Sequence, residues 1–277
     1  MKNYIDDMTL KAFSVSMKVG IVATIDEDDS PHLTILSTLQ GKDDKTLIFG
    51  KFVEGMSKEN IVKRPKAGFL VMNPEKYFWY GKMTYQYLLK EGEDYTMYNN
   101  QPLYRYNTYF GINTVYYADL VEISDTDILP MKEIVFNSIS VILRKRQFKN
   151  ISPTIMTPWA EKFTSKLDTL KFISFIDEDG YPEIIPIIQA QSIGSNRIVI
   201  KNKPFEKRLI KIKPGQKIAI IAFAMSMENI LLKGVFSGFN QSGFGFLDIQ
   251  QVYNSMPPVH KYIYPDNLNN EVLFDKE

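Results

Sequence analysis

Ser57 and Lys58 stand at the head of a short run, Lys58 to Lys63, that reads as a helix stopped by Pro65. A helix N-terminus presents unbonded backbone N–H groups and the positive end of its dipole. A hydroxyl and an ammonium beside it complete a cradle for a phosphate. The same residues also read as a plain Ser57 N-cap followed by a solvated face of Lys58, Lys63, Arg64 and Lys66. Other chemistries are thin. Without a single cysteine there is no thiolate nucleophile, iron–sulfur cluster or Cys-based zinc site. The two histidines, His32 after Pro31 and His260 after Pro257-Pro258, read as exposed loop residues, so neither a His-rich metal site nor a Ser-His-Asp triad is expected.

The chain has 277 residues, 44% of them hydrophobic, enough for one large or two ordinary domains with real cores. A net charge of +1 leaves no global field to drive nucleic-acid or membrane-surface binding, so an anion site has to be local. The start, Met1 to Asp7, has no apolar run before its acidic pair, and no stretch approaches the roughly 18 apolar residues of a membrane span. The expectation is a soluble, unprocessed, cytoplasmic protein with no nucleic-acid or membrane partner.

The elements that hold Ser57 and Lys58 occur twice. Val19 to Leu33 lies over Leu170 to Ile184, with Ile25-Asp26-Glu27-Asp28 matching Ile176-Asp177-Glu178-Asp179 and Pro31 matching Pro182, 151 positions on. At the same offset Thr46-Leu47-Ile48-Phe49 meets Arg197-Ile198-Val199-Ile200. Two residues tighter, Pro65 meets Pro214 and Phe69-Leu70-Val71 meets Ile218-Ala219-Ile220. This reads as a tandem duplication.

Within each copy the apolar runs are short, β-branched and separated by turn residues, the signature of strands. Asp28 to Pro31 and Asp179 to Pro182 read as hairpin turns. Gly41 to Lys45 and Ser192 to Asn196 close the next hairpin, so each copy is expected to open with a three-stranded meander. A short helix follows, then strands near Gly68–Met72, Phe78–Thr84 and Thr114–Ile123 in copy one and Ile218–Ala222, Ile230–Ser237 and Gly245–Tyr253 in copy two. Between the copies Met131, Ile134, Val135, Ser138, Ile139 and Ile142 recur at helical spacing ahead of Arg144-Lys145-Arg146, giving a linking helix. Thr157 caps a further helix with Pro158 at its first position, matching a less distinct one near Asp7 to Val15. The expected fold is mainly β: two tandem split β-barrels, each about six antiparallel strands plus short helices. The divisions are 1–126 for copy one, 127–150 for the linking helix, 151–258 for copy two and 259–277 for an acidic tail.

An acidic turn with Pro, then Phe49-Gly50-Lys51, then Ser57-Lys58, a helix and Pro65 together resemble the FMN-binding split barrel of the pyridoxamine 5′-phosphate oxidase-like superfamily, here in tandem. The resemblance implies FMN held through its phosphate and ribityl chain by Ser37 and Thr38 on the second strand, by Phe49, Gly50 and Lys51, and by Ser57 and Lys58. It further implies an oxidoreductase acting on a small-molecule substrate, with NAD(P)H one candidate electron donor; neither the substrate nor the donor is named by the sequence. The flavin then lies between two barrels, within one chain or in a homodimer. The alternative is a non-catalytic flavin- or anion-binding module.

Copy two departs from this pattern, because Glu206-Lys207 stands where copy one has Ser57-Lys58, a carboxylate where a phosphate is to be held. The cations of Lys201 to Lys217 read as a solvated basic helix, since Phe205 alone is available for base stacking. Eleven of the 16 tyrosines fall between Tyr77 and Tyr117. Lys90 to Asn107, with Gly92, Asn99-Asn100 and Pro102, reads as an insertion too polar to be core, either a cover over a planar ring or a structural extension.

Overall fold

In the computed structural model, the described residues are 1–51, 55–102, 111–148, 154–226, 228–254 and 261–265. His260, Tyr104, Tyr106, Tyr109, Phe110 and the tail from 266 onward lie outside them. The β-branched runs form strands β1 (Val19–Ile25), β2 (Pro31–Ile35), β3 (Gln40–Gly41), β4 (Thr46–Lys51), β5 (Lys66–Met72), β6 (Tyr77–Leu89), β7 (Thr114–Ile123) and β8 (Asp127–Ile128). A second set follows as β9 (Leu170–Ile176), β10 (Pro182–Pro186), β11 (Gln191–Ser192), β12 (Arg197–Lys201), β13 (Lys217–Phe223), β14 (Asn229–Phe239), β15 (Phe244–Asn254) and β16 (Lys261–Tyr264). The helices are α1 (Asp7–Ser14), α2 (Met56–Lys63), α3 (Glu93–Asn100), α4 (Met131–Arg144), α5 (Pro158–Ser165) and α6 (Glu206–Leu209).

The protein is mainly β, with two antiparallel sheets of the same strand order. The first runs β2-β1-β5-β6-β7-β4-β3 with β8 on β6, and the second runs β10-β9-β13-β14-β15-β12-β11 with β16 on β15. Each has eight strands rather than about six, because the two-residue β3, β8 and β11 and the late β16 carry too little pattern to be read in advance. The tail thus begins with a paired strand. The expected opening meander is corrected: β1 and β2 form a hairpin, but β4 pairs with β7 at the far end of the strand order. Alternation marks a strand but not its partner. Here the turn closed by Leu39 N–H to the Leu36 carbonyl (3.1 Å) redirects the chain after β2.

The acidic hairpins are equivalent turns. Asp26 N–H donates to Ser30 O and Asp177 N–H to Tyr181 O, while Asp29 and Gly180 occupy the left-handed region at matching positions, with φ of 55° and 79°. Glycine enters that region without strain, and Asp is among the few other residues that tolerate it.

By contact the chain divides into two units, Met1–Leu129 with Ile176–Ile184, and Pro130–Phe175 with Ile185–Glu277. The first sheet packs its inward residues, among them Val22, Leu47, Phe49, Phe69, Val71 and Trp79, against Phe13 of α1 and Ile61 of α2. The second does the same with Ile173, Phe175, Ile198, Ile220 and Leu232 against Phe163 of α5. Both entry helices are capped as their sequences require: Asp6 accepts from Thr9 N–H, and Thr157 from Ala160 N–H ahead of Pro158. Among the described residues no helix is long and apolar enough to cross a membrane.

Candidate functional site

α2 begins two residues earlier than its sequence suggests, and that changes what Ser57 does. The residue flanking the helix is Gly55, in an extended conformation and without a side chain to cap anything, so Ser57 is the second helical residue and not the N-cap. No side chain caps this N-terminus. Lys58 N–H reaches back to the Gly55 carbonyl at 3.1 Å, and nothing lies within 4 Å of where a Gly55 Cβ would be. The helix packs through one face that carries Ser57, Asn60 and Ile61, all buried, with the Asn60 amide donating to Thr24 Oγ1 of β1 at 3.5 Å.

The basic residues read as one solvated face separate in space. Lys63 pairs with Glu27 at 2.6 Å and Arg64 with Asp29, so the C-terminal end of α2 is tied to the acidic turn. The Lys63 hydrogen bond holds the Glu27 carboxyl below its usual range. Lys51 ends β4, and Lys58 lies in the first turn of α2.

Ser37 and Thr38 are not on the second strand, which ends at Ile35; they form the turn beyond it. Thr38 is buried, and its hydroxyl donates to the Gly50 carbonyl at 3.0 Å and accepts from Gly50 N–H at 3.1 Å. The Phe49 ring is buried too, stacked on Tyr116 with centroids 5.1 Å apart. A Cβ on Gly50 would stand 2.8 Å from Ile112. Thr38, Phe49 and Gly50 therefore shape the end of β4, while Ser37 lies in the turn after β2, Lys51 ends β4, and Ser57 and Lys58 lie in the first turn of α2.

The tyrosine-rich insertion is corrected from too polar to be core. Gly92, at φ 106°, lets the chain turn into α3, which places Tyr98 at 0% exposure among Ile48, Ile112, Val115 and Tyr117. Its hydroxyl donates to the Thr38 carbonyl at 2.7 Å. Asn99 exchanges two hydrogen bonds with the backbone of Ile112, both at 2.9 Å. Asp94 takes the Lys42 ammonium at 2.5 Å and the Tyr117 hydroxyl at 2.7 Å. Burial pushes the Asp94 carboxyl up, but those two hydrogen bonds outweigh it and hold it below its ordinary value. The amphipathic spacing of Tyr95 and Tyr98 was the available signal, masked by the Asn and Glu around it.

His32 is likewise corrected: it is buried in β2, opposite Thr24 in the β1–β2 ladder, because the strand starts at Pro31. In the second unit, Glu206 opens a helix of four residues, and its carboxylate accepts from the Asn202 amide at 2.9 Å. Among the described residues no group of three or more His, Asp or Glu is placed to hold a metal ion.

No protein-family model matches the sequence, and no curated protein sequence matches it. Among solved structures the chain is similar to HupZ of Group A Streptococcus, at 19% identity and a TM-score of 0.36, over 43% of this chain and 91% of that one. It is similar to an FMN-binding protein of Syntrophomonas wolfei at 20% identity and a TM-score of 0.34, over 44% and 82%. It is also similar to a candidate pyridoxamine 5′-phosphate oxidase of Lactobacillus delbrueckii at 16% identity and a TM-score of 0.36, over 45% and 96%.

Proposed function

We propose that the first unit binds FMN and that the protein is a flavin-dependent oxidoreductase acting on a small molecule. The observation that carries this reading is the start of α2, where the flanking residue is a glycine, no side chain caps the helix, and Ser57 and Lys58 occupy its first turn. Those groups suit a phosphate: backbone donors, a hydroxyl and an ammonium belong to the first turn of a helix, the end where the dipole favours negative charge. Ser37 and Lys51, at the ends of the neighbouring turn and strand, are the further polar groups for the ribityl chain and phosphate.

Bound FMN supplies hydride or electron transfer, and the protein supplies binding, orientation and exclusion of water. Thr38 and Gly50 keep the end of β4 in place, and Phe49 backs it from the core. The second unit reads as a structural partner, since Glu206 puts a carboxylate at the corresponding helix start, and the shared strand order of the two sheets agrees with an internal duplication in which one copy has lost the site. Titration of the purified protein with FMN, followed by absorbance and by quenching of flavin fluorescence, tests the reading. Saturable one-to-one binding supports it, and no binding overturns it. Bleaching of the bound flavin by NAD(P)H separates the enzyme from a non-catalytic flavin module.

A further inference from the structure

The connection between β6 and β7 carries α3, whereas β14 and β15, which hold the same places in the second strand order, are joined by the tight turn Asn240 to Gly243. The added helix is anchored twice, and each anchor leads to a residue of the proposed FMN site. Through the first, the Tyr98 hydroxyl donates to the carbonyl of Thr38, the neighbour of Ser37, at 2.7 Å. Through the second, Asn99 makes its two 2.9 Å hydrogen bonds to the backbone of Ile112. Asn113, next in the chain, donates its N–H to the Lys51 carbonyl at 3.0 Å, and the Ile112 side chain lies against Gly50, 2.8 Å from where a Cβ would stand.

We infer that α3 is a positioning element for that site, with Tyr98 fixing the turn that carries Ser37 and Asn99 fixing the strand end that carries Lys51; the inference rests on the FMN reading above. The side-chain chemistry explains why a further helix is needed. Thr38 uses its one hydroxyl on Gly50, both as donor and as acceptor. Its own carbonyl then needs a donor from elsewhere, because a buried carbonyl left unpaired costs free energy. Tyr98, itself fully buried, supplies that donor. In the second unit Gln189 stands 151 positions on from Thr38, and its longer amide bonds directly to the Lys201 and Lys203 carbonyls, so that turn closes on its own strand without a helix. This is also the unit in which Glu206 stands in place of Ser57. The β6–β7 helix is therefore present in the unit that has the site groups, and a turn takes its place in the unit that has lost them. A ligand that needs Ser37 and Lys51 held together favours the docked state of α3, and docked α3 favours the ligand by the same factor.

Isothermal titration of the full chain with FMN tests the coupling. Tyr98→Phe and Asn99→Ala should each weaken binding by about five- to tenfold, the lower end of ordinary coupling between sites, while circular dichroism shows both variants fully folded at the titration temperature. Thr157→Ala, which removes the cap of α5 in the second unit, should lower stability without changing FMN affinity, because the dissociation constant of a fully folded chain does not register a loss of global stability. Hydrogen exchange gives the reciprocal readout: saturating FMN should slow exchange of the α3 amides in the parent, and less so in Tyr98→Phe. Unchanged affinity in both α3 variants, an equal loss in Thr157→Ala, or α3 amides indifferent to FMN overturns the inference and leaves the FMN reading standing. A parent chain that binds no FMN overturns both.

Discussion

The Thr38 hydroxyl and the Gly50 backbone exchange two hydrogen bonds, at 3.0 and 3.1 Å, across the gap where β3 has ended and β4 continues. The second sheet repeats the arrangement with different chemistry: Gln189, 151 positions on, donates its amide to the Lys201 carbonyl at 2.8 Å and to the Lys203 carbonyl at 2.9 Å. An exposed strand edge that enters the core must have its polar groups satisfied. Thr38 and Gln189 do this for the first and second sheets. The polar side chain on the redirecting turn thus satisfies strand backbone in both units, and the proposed FMN site at the first rests on Ser37, Lys51, Ser57 and Lys58.

Replacing Thr38 with Val keeps the shape of the side chain and leaves the Gly50 donor and acceptor without their partner. The expected loss is about 1–3 kcal/mol of unfolding free energy, measured by urea titration, with Thr38→Ser close to the parent. A Val variant as stable as the parent would show that water takes over the β4 edge.

Tyr98→Ala should destabilise the first unit by about 3–5 kcal/mol, since it removes a fully buried ring. Tyr98→Phe, which loses only the bond to the Thr38 carbonyl, should cost about 1 kcal/mol. Deleting Glu91 to Gln101 should accordingly impair folding, as seen by loss of a cooperative thermal transition. A deletion variant that unfolds like the parent would restore the reading of this segment as a cover.

Lys58→Ala should weaken FMN binding by about ten- to a hundredfold, the range expected for one charged hydrogen bond of roughly 1.5–3 kcal/mol. Ser57→Ala should weaken it less, and Lys207→Ala should leave it unchanged, because Glu206 already places a negative charge at that helix start. Isothermal titration decides, and equal losses from Lys58 and Lys207 would refute the asymmetry between units.

Lys171 of β9 is almost wholly buried, and burial pushes its ammonium down from 10.5 to about 7. Its Nζ donates to the carbonyls of Lys166 (2.7 Å), Thr169 (3.3 Å) and Ile188 (3.2 Å), which work against that shift by favouring the charged form. With the folded value below the unfolded one, the unfolded chain binds more protons between them. Stability should therefore rise from about pH 7 toward 10.5, by at most about 1.4 kcal/mol per pH unit, and the gain should be lost as the pH falls back through 7. The difference in unfolding free energy between the parent and Lys171→Met, followed over that window, isolates the effect. A flat difference would mean that the three carbonyls win.

Strand positions, the repeat and the equivalent acidic turns were legible in the sequence because they depend on local rules. A strand alternates, a left-handed turn position takes Gly or Asp, and a helix starts at Thr157-Pro158 whatever it later packs against. The short basic helix with Ser57 and Lys58 near its start was legible for the same reason. Strand partners were not, because β4 pairs with β7, which follows some sixty residues later, and nothing in Thr46 to Lys51 names that partner. Nor were the fates of individual side chains. Tyr98 is buried because Ile48, Ile112, Val115 and Tyr117 arrive from three other places to enclose it, while α4 leaves Phe136 exposed and buries Asn137 and Ser138, whose polar groups bond to their own helix. Sequence pattern states which residues prefer to leave water. Only the packing of segments distant along the chain decides which of them find the room to do so, and that decision lies in the tertiary structure.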